Sequence, residues 1–209
     1  MALLYRAELR PTKLELLAPW LPTRSWYQGS AAPEVRRVTS FRFDDPAGEV
    51  GIETLLVRAG DGPVLQVPLT YRGAPLAGAD RWLVGTAHHS VLGQRWVYDA
   101  CGDPVYAQAL ATTILTGAGQ AEEYIDVDGR LERREAACAV RGSGTGEAAP
   151  VVRAVVRVDD GVSTLIATDS VELTVARTPG AAGGEDAPTL AGTWEGQSTP
   201  AVLARARVL

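Results

Sequence analysis

Cysteine, histidine, phenylalanine and methionine are scarce: the 209 residues contain two, two, two and one of them. Two cysteines, Cys101 and Cys138, cannot form a disulfide framework. The N-terminal stretch is charged from Arg6 onward and has no apolar core leading to a small-residue cleavage site, so the expectation is a cytoplasmic protein with two reduced thiols. The two histidines are adjacent, His88 and His89. In a strand their side chains point to opposite faces and cannot chelate one ion together, so neither a metal nor a cofactor is expected. A basic surplus is also missing. Lys and Arg number 20 against 25 Asp and Glu, for a net charge of −5, which excludes the basic face of a nucleic-acid binder. No apolar run is long enough to span a bilayer, so no membrane partner is expected.

What remains is a turn-rich chain with 46% hydrophobic residues, 22 Gly and 13 Pro, long enough to bury a sizeable core. Two helices are legible. Thr12-Lys13-Leu14-Glu15 is a capping-box pattern, with Leu14, Leu17 and Leu21 on one face and Pro19 and Pro22 limiting the helix. Asp103 as cap, Pro104 at the first position and Gly117 after the last turn predict a second helix from about Pro104 to Thr116.

Nearly everything else alternates as strand. Thr39–Phe43 is one, and Val50–Val57 joins Val64–Tyr71 through a turn at Ala59-Gly60-Asp61-Gly62. Arg81–Ala87 pairs with Gln94–Asp99, and Glu123–Val127 with Leu131–Val140 across Asp128-Gly129. Val151–Val158 meets Ser163–Thr168, followed by Glu172–Ala176, Leu190–Trp194 and Val202–Val208. The last reads as an unpaired edge strand. The pattern predicts an α+β protein of mostly antiparallel β-sheets with few helices. Gly142–Gly146 reads as a mobile hairpin tip and Pro179–Pro188 as a linker.

Chemical motifs are weak. Ser143-Gly144-Thr145-Gly146 lacks the lysine of a phosphate loop and is followed by Glu147. Tyr124–Gly129 carries Asp126, placed like a magnesium-holding carboxylate, but the Asp-Gly turn explains the same letters. Cys101 precedes a helix N-terminus, whose dipole could lower its pKa, with His88 or His89 as base. No triad signature accompanies it, and no catalytic residue is assigned. Aromatic residues gather in the first half, and Trp96 and Tyr98 share one strand face. Core packing is their default use, a ligand surface the alternative.

Two separated motifs carry a family resemblance. Trp20-Leu21-Pro22-Thr23-Arg24-Ser25-Trp26-Tyr27, and Val97-Tyr98-Asp99-Ala100 followed by Asp103-Pro104, resemble the N-terminal cap of actinobacterial maltokinases. The resemblance covers about residues 1–118 and implies a curved, cystatin-like antiparallel cap sheet wrapped on a helix. It continues into residues 119–209, which resemble a kinase N-lobe sheet. There Glu172–Arg177 stands where a Leu-Lys-x-x-Arg strand would be, with Thr174 at the position of the phosphate-binding lysine. Leu209 falls about where the hinge to a C-lobe would begin, and without C-lobe groups phosphoryl transfer has neither base nor metal ligands. The resemblance therefore implies a non-catalytic accessory or regulatory protein of α-glucan, maltose or trehalose metabolism that binds a partner enzyme of that pathway. The alternative is a sugar or metabolite binder on the concave face of the cap sheet, with Trp82, Trp96, Tyr98, His88 and His89 as the ligand-binding residues.

Overall fold

In a computed structural model of the protein, the structure describes residues 2–4, 8–127, 130–180 and 187–209. The order is β1 (Ala2–Leu4), β2 (Leu9–Arg10), α1 (Lys13–Trp20), β3 (Val35–Phe43), β4 (Gly51–Ala59), β5 (Val64–Arg72), β6 (Leu83–His89), β7 (Gly93–Asp99), α2 (Pro104–Leu115), β8 (Glu123–Val127), β9 (Arg130–Arg133), β10 (Cys138–Gly142), β11 (Val155–Asp159), β12 (Ser163–Thr168), β13 (Val171–Ala176), β14 (Thr189–Trp194) and β15 (Gln197–Val208). This is a mainly antiparallel α+β fold, as the alternation predicts. One sheet runs β2-β6-β7-β5-β4-β3 and a second β10-β14-β15-β13-β12-β11. A small third sheet, β1-β8-β9, holds the one parallel pairing among the described residues. No helix is long and apolar enough to cross a membrane among the described residues.

The first sheet buries both faces, because its strands alternate two apolar sets. Leu55, Val57, Val67, Leu69 and Val97 face α1, which contributes Leu16, Leu17 and Trp20, with Leu21 and Trp26 beyond it. Thr12 caps α1 in a complete capping box with Glu15, and Leu21–Thr23 continues it as a 3₁₀ turn. On the other face Phe41, Phe43, Ile52, Leu56 and Tyr98 meet α2 and the second sheet in one continuous core, where Tyr106, Leu110 and Ile114 pack with Ile166, Leu173 and Leu203. Helix α2 thus lies in a core drawn from both large sheets.

Several local expectations need correction. Leu131–Val140 is not one strand: β9 and β10 belong to different sheets, and the chain between them crosses from one to the other. The Asp128-Gly129 turn and positions 181–186 of the Pro179–Pro188 stretch lie outside the described residues. Val202–Val208 is not an edge. It is part of β15, paired on one side with β14 and on the other with β13. The glycine run is not a hairpin tip either. The N–H groups of Gly144 and Gly146 donate to the carbonyls of Ile114 and Leu115 at 2.9 Å, satisfying acceptors that every helix end leaves open. A Cβ on Gly142 would sit 2.0 Å from the Thr113 carbonyl oxygen, and one on Gly144 2.2 Å from that of Leu115, so only glycine permits this approach.

Candidate functional site

The residues considered for a ligand face are divided by the structure. Trp82 ends a 3₁₀ turn, Asp80–Trp82, and is 7% exposed. Its indole lies so close to Gly102 that a Cβ there would fall 2.2 Å from the ring, and the Arg81 guanidinium stacks over it at 4.8 Å. Tyr98 is buried, and its hydroxyl accepts the Leu76 N–H at 2.9 Å. Trp96 packs half-buried against the same core. The sheet face bearing Trp96 and Tyr98 is the one that α2 and the second sheet cover. The histidines lie toward the other end of β6, where His88 is exposed opposite Gln94. His89 Nδ1 accepts the N–H groups of Val91 and Leu92 at 3.2 and 3.1 Å, closing the β6–β7 turn. Partial burial and the nearby charges of Arg95, Lys13, His88 and Arg42 hold its pKa below the ordinary histidine value.

Cys101 does not behave as an activated thiol. It is fully buried, and burial pushes its pKa well above the ordinary thiol value, with Arg177 opposing and Asp99 adding to the rise. The histidines stand at the opposite end of β7, which at about 3.3 Å per residue places them roughly 20 Å away. Cys138 is also buried, its Sγ donating to the Ser40 carbonyl at 3.4 Å. Among the described residues no cluster of His, Cys, Asp and Glu could hold a metal.

Two buried ionic clusters escaped the sequence reading. Arg177, just after β13, has a side chain only 1% exposed. Its Nη2 donates to Asp99 Oδ2 at 2.6 Å and lies 3.5 Å from Asp160 Oδ1, while Nε donates to Thr164 Oγ1 at 2.7 Å. The Trp26 ring stacks 4.6 Å from the guanidinium carbon. Burial works against the charge, but Asp99, the Cys101 site and Asp160 offset it, and the guanidinium stays protonated. Its backbone carbonyl accepts the Gln66 N–H at 2.7 Å, and Gln66 Nε2 donates to the Leu203 carbonyl at 2.9 Å. Arg177 therefore ties the second sheet to β5 and to the end of β7. Nothing local announces it, since Asp99 is 78 residues away.

The second cluster surrounds Glu53, 4% exposed. Its carboxylate accepts from Lys13 Nζ at 2.5 Å and from the Tyr71 hydroxyl at 2.9 Å, with Arg42 Nη2 at 3.9 Å. Burial alone would raise its pKa. Lys13 and Arg42, with the two hydrogen bonds, hold it below the ordinary glutamate value. Tyr71 moves the other way, its phenol pushed well up by burial and by the Glu53 charge. Here the sequence did hold a signal: one acidic letter inside the apolar run from Ile52 to Val57.

The motif residues at both ends of the first sheet thus act as fasteners. Trp20 and Trp26 stack edge to face with centroids 5.9 Å apart. Asp99 holds Arg177 and accepts the Cys101 N–H. Asp103 caps α2 through the Val105 N–H at 3.0 Å and takes both Arg72 donors at 2.7 Å. Residues 20–103 match the maltokinase N-terminal cap domain. No curated protein matches the chain. The match opens at Trp20 and closes at Asp103, so it takes in the first motif whole and the second up to Asp103, while Arg177, which locks Asp99 and Trp26, lies outside it. The cap is closed by a residue of the following sheet.

The cap borders a groove of about 660 Å³ at its β3 edge, walled on the other side by residues 134–141 and floored by residues 119–123. A smaller hollow of about 320 Å³ adjoins Trp82, Arg81 and residues 153–158 of the second sheet. Of the five ligand-face residues, Trp82 alone lines either of these two cavities.

Proposed function

We propose that this chain is a cytoplasmic accessory protein of α-glucan, maltose or trehalose metabolism. It acts by docking a partner enzyme rather than by catalysis of its own. The observation that carries the reading is where the cap's chemical groups go. Its motif aromatics and carboxylates are committed to internal fastening, while its β3 edge is left beside a large open groove. In the same reading, residues 1–118 form the cap-like half and 119–209 an N-lobe-like half, in keeping with a first six-stranded sheet confined to residues 9–99 and a second confined to 138–208. Within the N-lobe-like half, Thr174 stands mid-strand opposite Leu165 and Arg205 and brings no charge to a phosphate. Arg177, the last residue of that strand motif, is sealed against Asp99. Phosphoryl transfer depends on such charges being free to meet the nucleotide. The test is purification of the tagged protein from native lysate with quantitative mass spectrometry. An α-glucan- or trehalose-pathway enzyme recovered in near-stoichiometric amount is expected, and its absence rejects the reading.

The hollow beside Trp82 favours a second reading, a sugar or other metabolite held on the indole edge with Arg81, Arg153 and Arg157 around it. A thermal-shift series with maltose, trehalose, maltoheptaose and their phosphates tests it. A ligand at a hundred times its dissociation constant adds about 2.7 kcal/mol to stability, a shift of a few degrees. A shift that survives in Trp82→Ala would remove this site from consideration.

A further inference from the structure

The small hollow beside Trp82 is lined by charge of one sign. Three arginines stand on its wall, Arg81, Arg153 and Arg157, and among the described residues no Asp or Glu lines it. In a chain with 20 basic and 25 acidic residues, that bias runs against the composition. The three cations are also loosely held. Arg81 is exposed; its guanidinium lies over the Trp82 ring at 4.8 Å and has no carboxylate partner among the described residues. Arg153 Nη1 is 4.0 Å from Asp169 Oδ2, beyond hydrogen-bond distance, and Asp169 Oδ1 instead accepts the N–H groups of Arg153 and Ala154 at 3.0 and 3.4 Å. Arg157 Nε lies 2.7 Å from Asp159 Oδ2, which leaves both Nη groups to solvent. A guanidinium carries five N–H donors in a planar fork, so most of the donors around the hollow are unclaimed.

The rest of the wall suits a small polar body. Trp82 brings an apolar ring edge, and β11 brings main chain. Strand β11 is the outer strand of the second sheet. The Ala154 carbonyl accepts the Asp169 N–H at 3.3 Å, so Ala154 turns toward β12. Val155, the next residue, points its N–H and C=O the other way, on the side where the hollow lies. At about 320 Å³ the hollow stands at the small end of ligand cavities, with room for one sugar ring and a charged group rather than for an oligosaccharide.

We infer that this hollow binds a hexose phosphate, the phosphoryl group among the three arginines and the sugar ring against the Trp82 edge. Arginine forks give a phosphate paired, charge-assisted donors, the indole edge covers the apolar side of the ring, and the Val155 main chain exchanges hydrogen bonds with its hydroxyls. A neutral sugar would leave three cations without a counter-charge, and a bare phosphate would leave the indole uncovered. The inference rests on the metabolite-binding reading and names the ligand class.

The test titrates the full ¹⁵N-labelled chain with glucose 1-phosphate, glucose 6-phosphate, glucose and inorganic phosphate. Saturation by one of the two sugar phosphates below millimolar concentration is expected, with shifts gathered on the Trp82 indole N–H and on the amides of residues 77–82, 102 and 153–158. Glucose and inorganic phosphate should each bind at least tenfold more weakly. R81M/R153M should weaken the sugar phosphate at least tenfold and melt within a few degrees of the parent, since both side chains are exposed. Undiminished binding by that variant, or shifts gathered elsewhere, would overturn the proposal. Inorganic phosphate bound as tightly as the sugar phosphates would overturn it too, as an anion site with no use for the ring. The metabolite reading fails separately. Glucose bound as tightly as its phosphates keeps that reading and removes this one. No saturation by any of the four removes the hexose phosphate and leaves the reading to the larger sugars of the thermal-shift series.

Discussion

Arg177 and Glu53 are both buried charges held by three polar partners, yet they are buried differently. Arg177 stands between two sheets with its side chain 1% exposed, and Asp99, its closest partner, is wholly buried as well. Glu53 sits within one sheet, and its nearest cation, Lys13, keeps about a third of its side chain in water. Lys13 is the only lysine in the sequence. A charge pair that joins layers formed by distant parts of the chain has to be desolvated completely before the layers meet. A pair at the rim of a helix keeps access to solvent. The first kind penalises the loss of either partner heavily, because what stays behind is an uncompensated ion in a dry interior.

The largest expected effect tests that contrast. Arg177→Met should cost about 3–5 kcal/mol in urea unfolding, since it strands the Asp99 carboxylate, and adding Asp99→Asn should restore much of the loss. A cost below about 1 kcal/mol would erase the distinction between the clusters. Asp103→Ala comes next, at about 2–3 kcal/mol, because it removes the α2 cap and leaves Arg72 without its bidentate partner. Glu53→Gln should cost about 1–3 kcal/mol, and its pH dependence sharpens the comparison. The Glu53 carboxyl is held below its ordinary value when folded, so its contribution is fully present above the unfolded pKa and is lost as pH falls through the folded one. The variant should lose part of the acid limb of the stability profile and match the parent's slope near neutrality. Lys13→Met is the smallest, about 1 kcal/mol, because Arg42 and the Tyr71 hydroxyl still hold the carboxylate it leaves behind and the lysine itself is partly solvated. An equal loss from Lys13→Met and Arg177→Met would show that exposure does not separate them.

The elements visible in the sequence were those with local causes. The capping box at Thr12, the Asp103-Pro104 start of α2 and the alternation of β12 and β14 each depend on neighbours within a few residues, and each falls within a residue or two of its expected place. What depends on distant partners was not legible. The crossing between β9 and β10 depends on which sheet each strand joins, and a run of alternating residues carries no such address. The same limit hid the interior position of β15, since the neighbour of a strand is set by topology rather than by composition. At the candidate site, Trp82, Trp96 and Tyr98 pack in one core away from His88 and His89, and whether an aromatic face meets ligand or protein is decided by residues 138–206, which no local pattern announces. His89 was legible only as a titratable letter, and its role in the β6–β7 turn follows from a hairpin geometry that adjacent histidines do not signal. Arg177 was visible as the end of a strand motif, and nothing within reach of that strand pointed to Asp99.

The core shared by the two large sheets has a consequence for synthesis on the ribosome. When residue 118 leaves the exit tunnel, the cap strands and α2 are complete, but Phe41, Phe43, Ile52 and the apolar stripe of α2 still lack the Ile166, Leu173 and Leu203 that cover them. Translation at about 5–20 residues per second takes roughly 5–20 s to supply the remaining ninety or so residues. During that interval the growing polypeptide carries a greasy, half-built face beside the unpaired anion Asp99, which makes the nascent cap a natural client for a holding chaperone until Arg177 arrives.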